Sequence, residues 1–308
     1  MRDAFRYIFL TRHGEFRSGW KIMVFLIGTA GLTTGVGTVL HLVASGIVLL
    51  DALGFLATTL FVSWVLVRYV NRKRFAAIGL WFHPRTLREF GIGMLLGFLM
   101  MAGIFILLSA AGYAQVTWLA RPPGEIATTV LYSFLFFAVA AAGEEVLFRG
   151  YVFQTMAQGI TMLPAILVMS GIFGIAHAAN PNANAFSIAN VMLAGIWLSF
   201  AYLKTRGLWM PFGLHLAWNF SQTTVFGFPT SGITFADQKL LATTTTGPEW
   251  ITGGAFGPEG SILATLALIG GTWYILKSKY IVAPEGIITL DSVEDVIPPP
   301  PAGDGAAA

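Results

Sequence analysis

Three short stretches of this 308-residue chain carry residue types that could do chemistry together. "GEEVLFRGYVFQ" brings Glu144, Glu145 and Arg149, "FGIAH" brings His177 four residues after Phe173, and "HLAWN" brings His215 and Asn219. Each lies in or beside an apolar run. An ionisable side chain inside a bilayer is costly unless paired or hydrated, which makes these residues functional candidates by default.

The spacing sorts their roles. Glu145 and Arg149 are four apart with the acid first, the favourable order for an ion pair on one helical face. Glu144 lies about 100° round the helix from Glu145, so Arg149 cannot serve both acids equally. Arg149 can hold Glu145 ionised and leave Glu144 free to handle a proton. His215 and Asn219 share a helical face, and both donate hydrogen bonds, a plausible cradle for a developing oxyanion. The chemistry these groups permit is attack of water on a carbonyl, with a carboxylate or a carboxylate–imidazole pair taking the proton. A metal version would use Glu144, His177 and His215 to hold Zn²⁺ with one position open.

The elements that must position these groups are membrane helices. The chain is 56% hydrophobic and 11% charged, against about 25% charged in soluble domains. With no cysteine, disulfides and thiolate metal sites are excluded. Nucleic-acid binding is excluded because no basic face remains once topology has used the Lys and Arg residues. Eight apolar spans are expected, near 22–43, 47–69, 90–113, 127–148, 163–179, 186–203, 208–227 and 261–277. The fold class is therefore all-α, a polytopic membrane helix bundle of about eight transmembrane helices. Long apolar runs without ten-residue alternation exclude a barrel. Residues 1–21 read as a cytoplasmic or interfacial leader and 22–280 as one transmembrane domain. Within that domain, 228–260 forms a Gly/Thr-rich outer loop, and 281–308 reads as a disordered tail.

With the N-terminus in the cytoplasm, all of the Lys and Arg residues except Arg121 and Lys239 fall on that side. The positive-inside rule then puts both termini in the cytoplasm, in a membrane expected to be a prokaryotic cytoplasmic one. Residues 144 and 177 are equidistant from the junction of residues 160 and 161, within "QGITMLP", where Gly159 and Pro164 mark a turn. Two antiparallel helices about that turn would hold Glu144 and His177 level, each roughly 20 Å away from it. Hydrolysis needs water, so a cavity open to the cytoplasm is expected at the site. His41 stands alone in the first span and reads as a hydrogen-bonded or interfacial histidine.

The three stretches, in this order and spacing, resemble the CAAX protease and bacteriocin-processing (CPBP) family of intramembrane endopeptidases. "EEVLFR" fits Glu-Glu-x-x-x-Arg, "FGIAH" fits Phe-x-x-x-His and "HLAWN" fits His-x-x-x-Asn. The likeness runs from about residue 14 to 227 and includes "GEFRSGWKIMVFLI" and "AAIGLWFHPRTLREFGIGMLLG". It implies a hydrolase in which Glu144 activates water that His177 helps to hold. Glu145 and Arg149 would shape the site, and His215 and Asn219 would form the oxyanion hole. The implied partners are a peptide or protein substrate, membrane-bound and lipid-modified ones included, and the lipid bilayer. The family carries both metalloprotease and metal-free readings. The missing His-Glu-x-x-His motif weighs against a permanent metal, and Zn²⁺ stays the one candidate cofactor.

Other readings compete. The Glu-Glu-Arg group could be a structural ion-pair lock, and the histidines polar glue between helices, in a non-catalytic scaffold or bacteriocin-immunity protein of the same fold. A transporter would use midplane acids as a proton relay, but the chain lacks recognisable inverted repeats.

Overall fold

In lipid the backbone must satisfy its own hydrogen bonds, so long apolar runs become helices. The structure is a computed structural model that describes residues 8–11, 14–287 and 289–290. Its helices longer than one turn are α1 (Ser18–Ala44), α2 (Val48–Val65), α3 (Thr86–Ala110), α4 (Pro123–Glu145), α5 (Val152–Ile160), α6 (Met162–Ala176), α7 (Ala185–Thr205), α8 (Trp209–Phe220) and α9 (Ile262–Lys277). Wider π turns extend α2 at Leu66–Val70 and α8 at Ser221–Val225, and another joins α4 to α5 at Val146–Tyr151.

Each expected span is occupied by a helix, and the fold is a helical membrane bundle. Among the described residues, five segments are long and apolar enough to cross a bilayer: Ser18–Ala44, Val48–Val70, Thr86–Ala110, Pro123–Ile160 and Ala185–Thr205. Met162–Ala176 and Ile262–Lys277 are shorter apolar helices. One end of the bundle carries the start of α1, the connections 71–85 and 204–208 and the end of α9, where most Lys and Arg residues of the described chain lie. This is the basic end.

The fourth span differs from expectation. It continues past residue 148, through a bend at Gly150 (φ −76°, ψ −117°), to Ile160. The chain then reverses at Thr161, whose φ is 71°. The segment 228–260 is also more than a loop. Its strand β2 (Leu241–Thr245) pairs antiparallel with β1 (Ala114–Trp118), Ala114 opposite Thr245 and Trp118 opposite Leu241. Phe228 and Phe256 are buried beneath it. Within the expected tail, Ile281 and Leu290 are buried, and the Leu290 N–H donates to Gln154 Oε1 at 3.2 Å. Apolar side chains at these two positions explain why the chain stays packed there. Most of the expected tail, 291–308, and leader residues 1–7, 12 and 13 lie outside the described residues.

Close helix contacts set the site's geometry. A Cβ on Gly97 of α3 would stand 2.5 Å from the Leu214 carbonyl oxygen of α8, so glycine is what lets these backbones touch. On Gly195 of α7 it would stand 2.9 Å from Ser170 Cα of α6. The first contact fixes the helix that carries His215, and the second fixes the one that ends just before His177.

Candidate active site

Glu144 and Glu145 form the last turn of α4, and Arg149 sits in the π turn that follows. Such widened turns occur often at functional sites, because they re-aim side chains within a helix. Arg149 Nη1 donates to Glu145 Oε1 at 3.0 Å, and Nη2 donates to the Gly195 carbonyl at 3.2 Å. The guanidinium carbon lies 4.6 Å from the centre of the Phe173 ring. Glu145 and Arg149 are each 1% exposed. A buried ion pair repays its desolvation only with further interactions, and here the Gly195 carbonyl and a histidine supply hydrogen bonds and the Phe173 face a cation–π contact.

That histidine is His215, whose Nδ1 lies 2.8 Å from Glu145 Oε1. Arg149 donates to the same oxygen, so Glu145 accepts from both, and the proton of this hydrogen bond is assigned to Nδ1. The other ring nitrogen, Nε2, is 3.8 Å from Glu144 Oε2. The two adjacent acids therefore flank the two nitrogens of one imidazole. The sequence reading pairs Glu145 with Arg149 alone; its contact with His215 crosses 70 residues of chain and has no local signature.

His177 follows the last residue of α6 and places Nδ1 2.8 Å from the Phe173 carbonyl. A carbonyl only accepts, so Nδ1 carries the proton and Nε2 keeps its lone pair. Phe173 is the hub. Its ring lies 4.8 Å from that of His177, 6.1 Å from that of His215 and 4.9 Å from that of Phe148.

Glu144, His177, His215 and Asn219 line one cavity of about 430 Å³, a size suited to a small ligand or part of a peptide. Glu145 and Arg149 stand behind its wall. The Glu144 side chain is 28% exposed against 1% for Glu145. Oε2 of each acid is buried without a hydrogen-bond partner among the described residues. The structure thus gathers all six sequence-identified residues, four on the cavity and two in support. His41 is exposed near the end of α1 and does not line the cavity. The other walls are largely aromatic, with Phe55, Phe136, Phe137, Phe235 and Trp197 among them.

A second polar wall is absent from the sequence reading. Glu259 receives Trp218 Nε1–H on Oε1 at 3.2 Å and the Ser231 hydroxyl on Oε2 at 2.9 Å. Asn190 Nδ2 donates to the Glu259 carbonyl at 2.8 Å, and Asn180 Nδ2 to the Ser231 carbonyl at 3.0 Å. All of these residues line the cavity. Glu259 lies in "GPEG" just before α9, where no spacing links it to the three motifs.

Thr230, Ser231, Ile233, Phe235 and Glu259 of the 228–260 segment build part of the cavity wall, so the cavity extends toward the end opposite the basic one. Toward the basic end the bundle is packed. Ile78, Tyr151, Phe153, Tyr202 and Leu208 are buried in one apolar cluster there. Tyr151 Oη donates to Asn71 Oδ1 at 2.9 Å, and Gln154 Nε2 to the Ala77 carbonyl at 3.0 Å, tying this layer to the 71–85 connection.

Among the described residues, no group of three or more His, Cys, Asp or Glu side chains stands where it could hold a metal ion. His215 Nδ1 is committed to Glu145. No step in the proposed reaction is routed through a metal.

No curated protein and no solved structure matches the chain. Residues 126–221 match the family model described as Rce1-like, type II CAAX prenyl endopeptidase Rce1-like. That segment is just under a third of the chain, runs from α4 to the residue after α8, and contains Glu144, Glu145, Arg149, His177, His215 and Asn219. Over that segment the chain is similar to the type II CAAX prenyl endopeptidase family, the likeness that the three motifs carry.

Proposed function

We propose that this protein is an intramembrane endopeptidase that hydrolyses a peptide bond with water activated by Glu144. The observation that carries the reading is the pair of acids flanking His215, one sealed behind the cavity wall and one facing the cavity. Glu144 and His177 Nε2 are both proton acceptors, so a water between them can donate one hydrogen to each. Glu144 takes the proton as the water oxygen bonds to the carbonyl carbon. The carbonyl oxygen then becomes an oxyanion, which the Asn219 amide and His215 Nε2–H stabilise. When the intermediate collapses, the C–N bond breaks and Glu144 passes its proton to the leaving nitrogen. Donation by Nε2 while Nδ1–H is held by Glu145 uses an imidazolium, which brings the formal charge of Glu144, Glu145, Arg149 and His215 together to zero.

The substrate is a peptide or protein met within or at the bilayer. Both termini lie in the cytoplasm, following the Lys and Arg distribution. Arg149 and Glu145 act by positioning, because they are sealed from the cavity.

The test compares protein termini in membranes from cells making the wild type or Glu144→Gln at equal folded levels. Peptide ends found only with the wild type are expected. Identical ends, in cells where the variant keeps whatever biological effect the wild type has, would move the assignment to a non-catalytic scaffold or immunity protein.

A further inference from the structure

We infer that the cavity takes its substrate from the outer side of the membrane, and that its substrates are outward-facing polypeptide stretches with large apolar side chains. Either the leader of an exported peptide or the outer juxtamembrane stretch of an anchored protein would serve. The substrate class rests on the protease reading above; the sidedness does not.

Three observations converge. First, charge divides the bundle. The connections 71–85 and 204–208 hold Arg72, Lys73, Arg74, Lys204 and Arg206 among others, and the opposite end is poor in Lys and Arg. At that opposite end Arg121 and Lys239 are outnumbered by Asp51, Glu125, Asp237 and Glu249. The side richer in Lys and Arg faces the cytoplasm, so the end bearing 228–260 faces out. Second, that outer segment builds the cavity wall, through Thr230, Ser231, Ile233, Phe235 and Glu259. Third, the route from the basic end is filled. Phe153 and Tyr202 pack edge to face with ring centres 5.5 Å apart, and Ile78 and Leu208 from the two basic connections join the same buried cluster.

The outer wall also has a form suited to peptide. Glu259 ties it to Trp218, the residue before catalytic Asn219, while the Asn180 and Ser231 side chains put polar groups at the rim. Between rim and acids the walls are aromatic, with Phe136, Phe137 and Phe235 in mutual ring contact. Backbone-competent polar groups at the rim and aromatic walls within match an apolar peptide stretch entering from that end.

The chain has no cysteine, so single-cysteine variants report without a background. The experiment makes Ala176→Cys at an exposed cavity position, Thr246→Cys beside β2 and Gln158→Cys near the basic-end turn. Intact producing cells are treated with a charged, membrane-impermeant maleimide, before and after permeabilisation. Ala176→Cys and Thr246→Cys are expected to label in intact cells, and Gln158→Cys only in opened ones. Labelling of Ala176→Cys only after opening, together with Gln158→Cys, overturns the inference. So does a failure of Ala176→Cys to label in either state while Thr246→Cys labels from outside. Outward labelling with no wild-type-specific peptide ends would instead count against proteolysis and leave the sidedness standing. Wild-type-specific ends confined to cytoplasmic stretches would overturn the substrate class.

Discussion

Glu144 and Glu145 are neighbours in the chain and stand in opposite surroundings. Glu145 is sealed, shares one oxygen with Arg149 and His215, and sits behind the cavity wall. Glu144 faces the cavity, contacts the far nitrogen of the same imidazole at 3.8 Å and keeps a quarter of its side chain exposed. A buried acid held through one oxygen by Arg149 and His215 can set geometry but has no route to substrate. An acid with a free face can move a proton. The same contrast divides the whole bundle into a packed half toward the basic end and a hollow half beneath the 228–260 segment.

Substitutions on the two sides of this divide should separate activity from stability. The largest effect on rate is expected at Glu144→Gln, which keeps the shape and removes the proposed base. The kcat for peptide hydrolysis should fall about 10²–10⁴-fold, while unfolding in mixed micelles stays at the wild-type midpoint. Arg149→Ala should do the reverse in emphasis. It leaves Glu145 buried and deprived of its cation, at a cost of about 3–5 kcal/mol in unfolding free energy. Arg149→Lys should recover only part, since a lysine cannot reach Glu145 and Gly195 with a planar fork. Asn219→Ala belongs to the cavity side. Its expected cost is about 2.7–4 kcal/mol of transition-state stabilisation, read as a kcat loss with little change in KM or stability.

Smaller effects test the scaffold. Gly97→Ala puts a methyl 2.5 Å from the Leu214 carbonyl oxygen, which pushes α8 and His215 away from α3. Overpacking of this kind costs about 1–3 kcal/mol, visible as a lowered unfolding midpoint and a matching loss of rate. Glu259→Gln should cost least, about 1 kcal/mol for weakened charged hydrogen bonds. Its signature is a raised KM with kcat nearly kept, because it loosens the substrate-facing wall and leaves Glu144 untouched.

The helices were legible because lipid leaves the backbone little alternative: each apolar run of the expected length is a helix. So was the reversal that brings Glu144 and His177 to one cavity, since it falls at Thr161, the residue that begins the second half of the 144–177 interval. The continuation of α4 through Gly150 was hidden, because "VLFRG" reads as the polar end of a span and the π turn has no simple pattern. The β1–β2 pair was hidden as well. Its partners are more than a hundred residues apart, though the β-branched run "LATTTT" carries strand propensity. The contact of His215 with Glu145 and the Glu259 wall depend on side chains meeting across helices, which no local spacing encodes. The way the cavity extends beneath the 228–260 segment was hidden as well, because Thr230, Ser231, Ile233, Phe235 and Glu259 share no spacing with the three motifs. The layer of Tyr151, Phe153 and Tyr202 packed toward the basic end is likewise built from contacts between helices.

The most direct test of the account measures peptide hydrolysis and unfolding side by side for Glu144→Gln and Glu145→Gln in the purified, membrane-reconstituted protein. The substrate is a peptide carrying an end found only in wild-type membranes. The account expects Glu144→Gln to lose hydrolysis at wild-type stability, and Glu145→Gln to lose stability and hydrolysis together. Wild-type hydrolysis by Glu144→Gln, or equal destabilisation by the two changes, would contradict the division between the sealed acid and the working one.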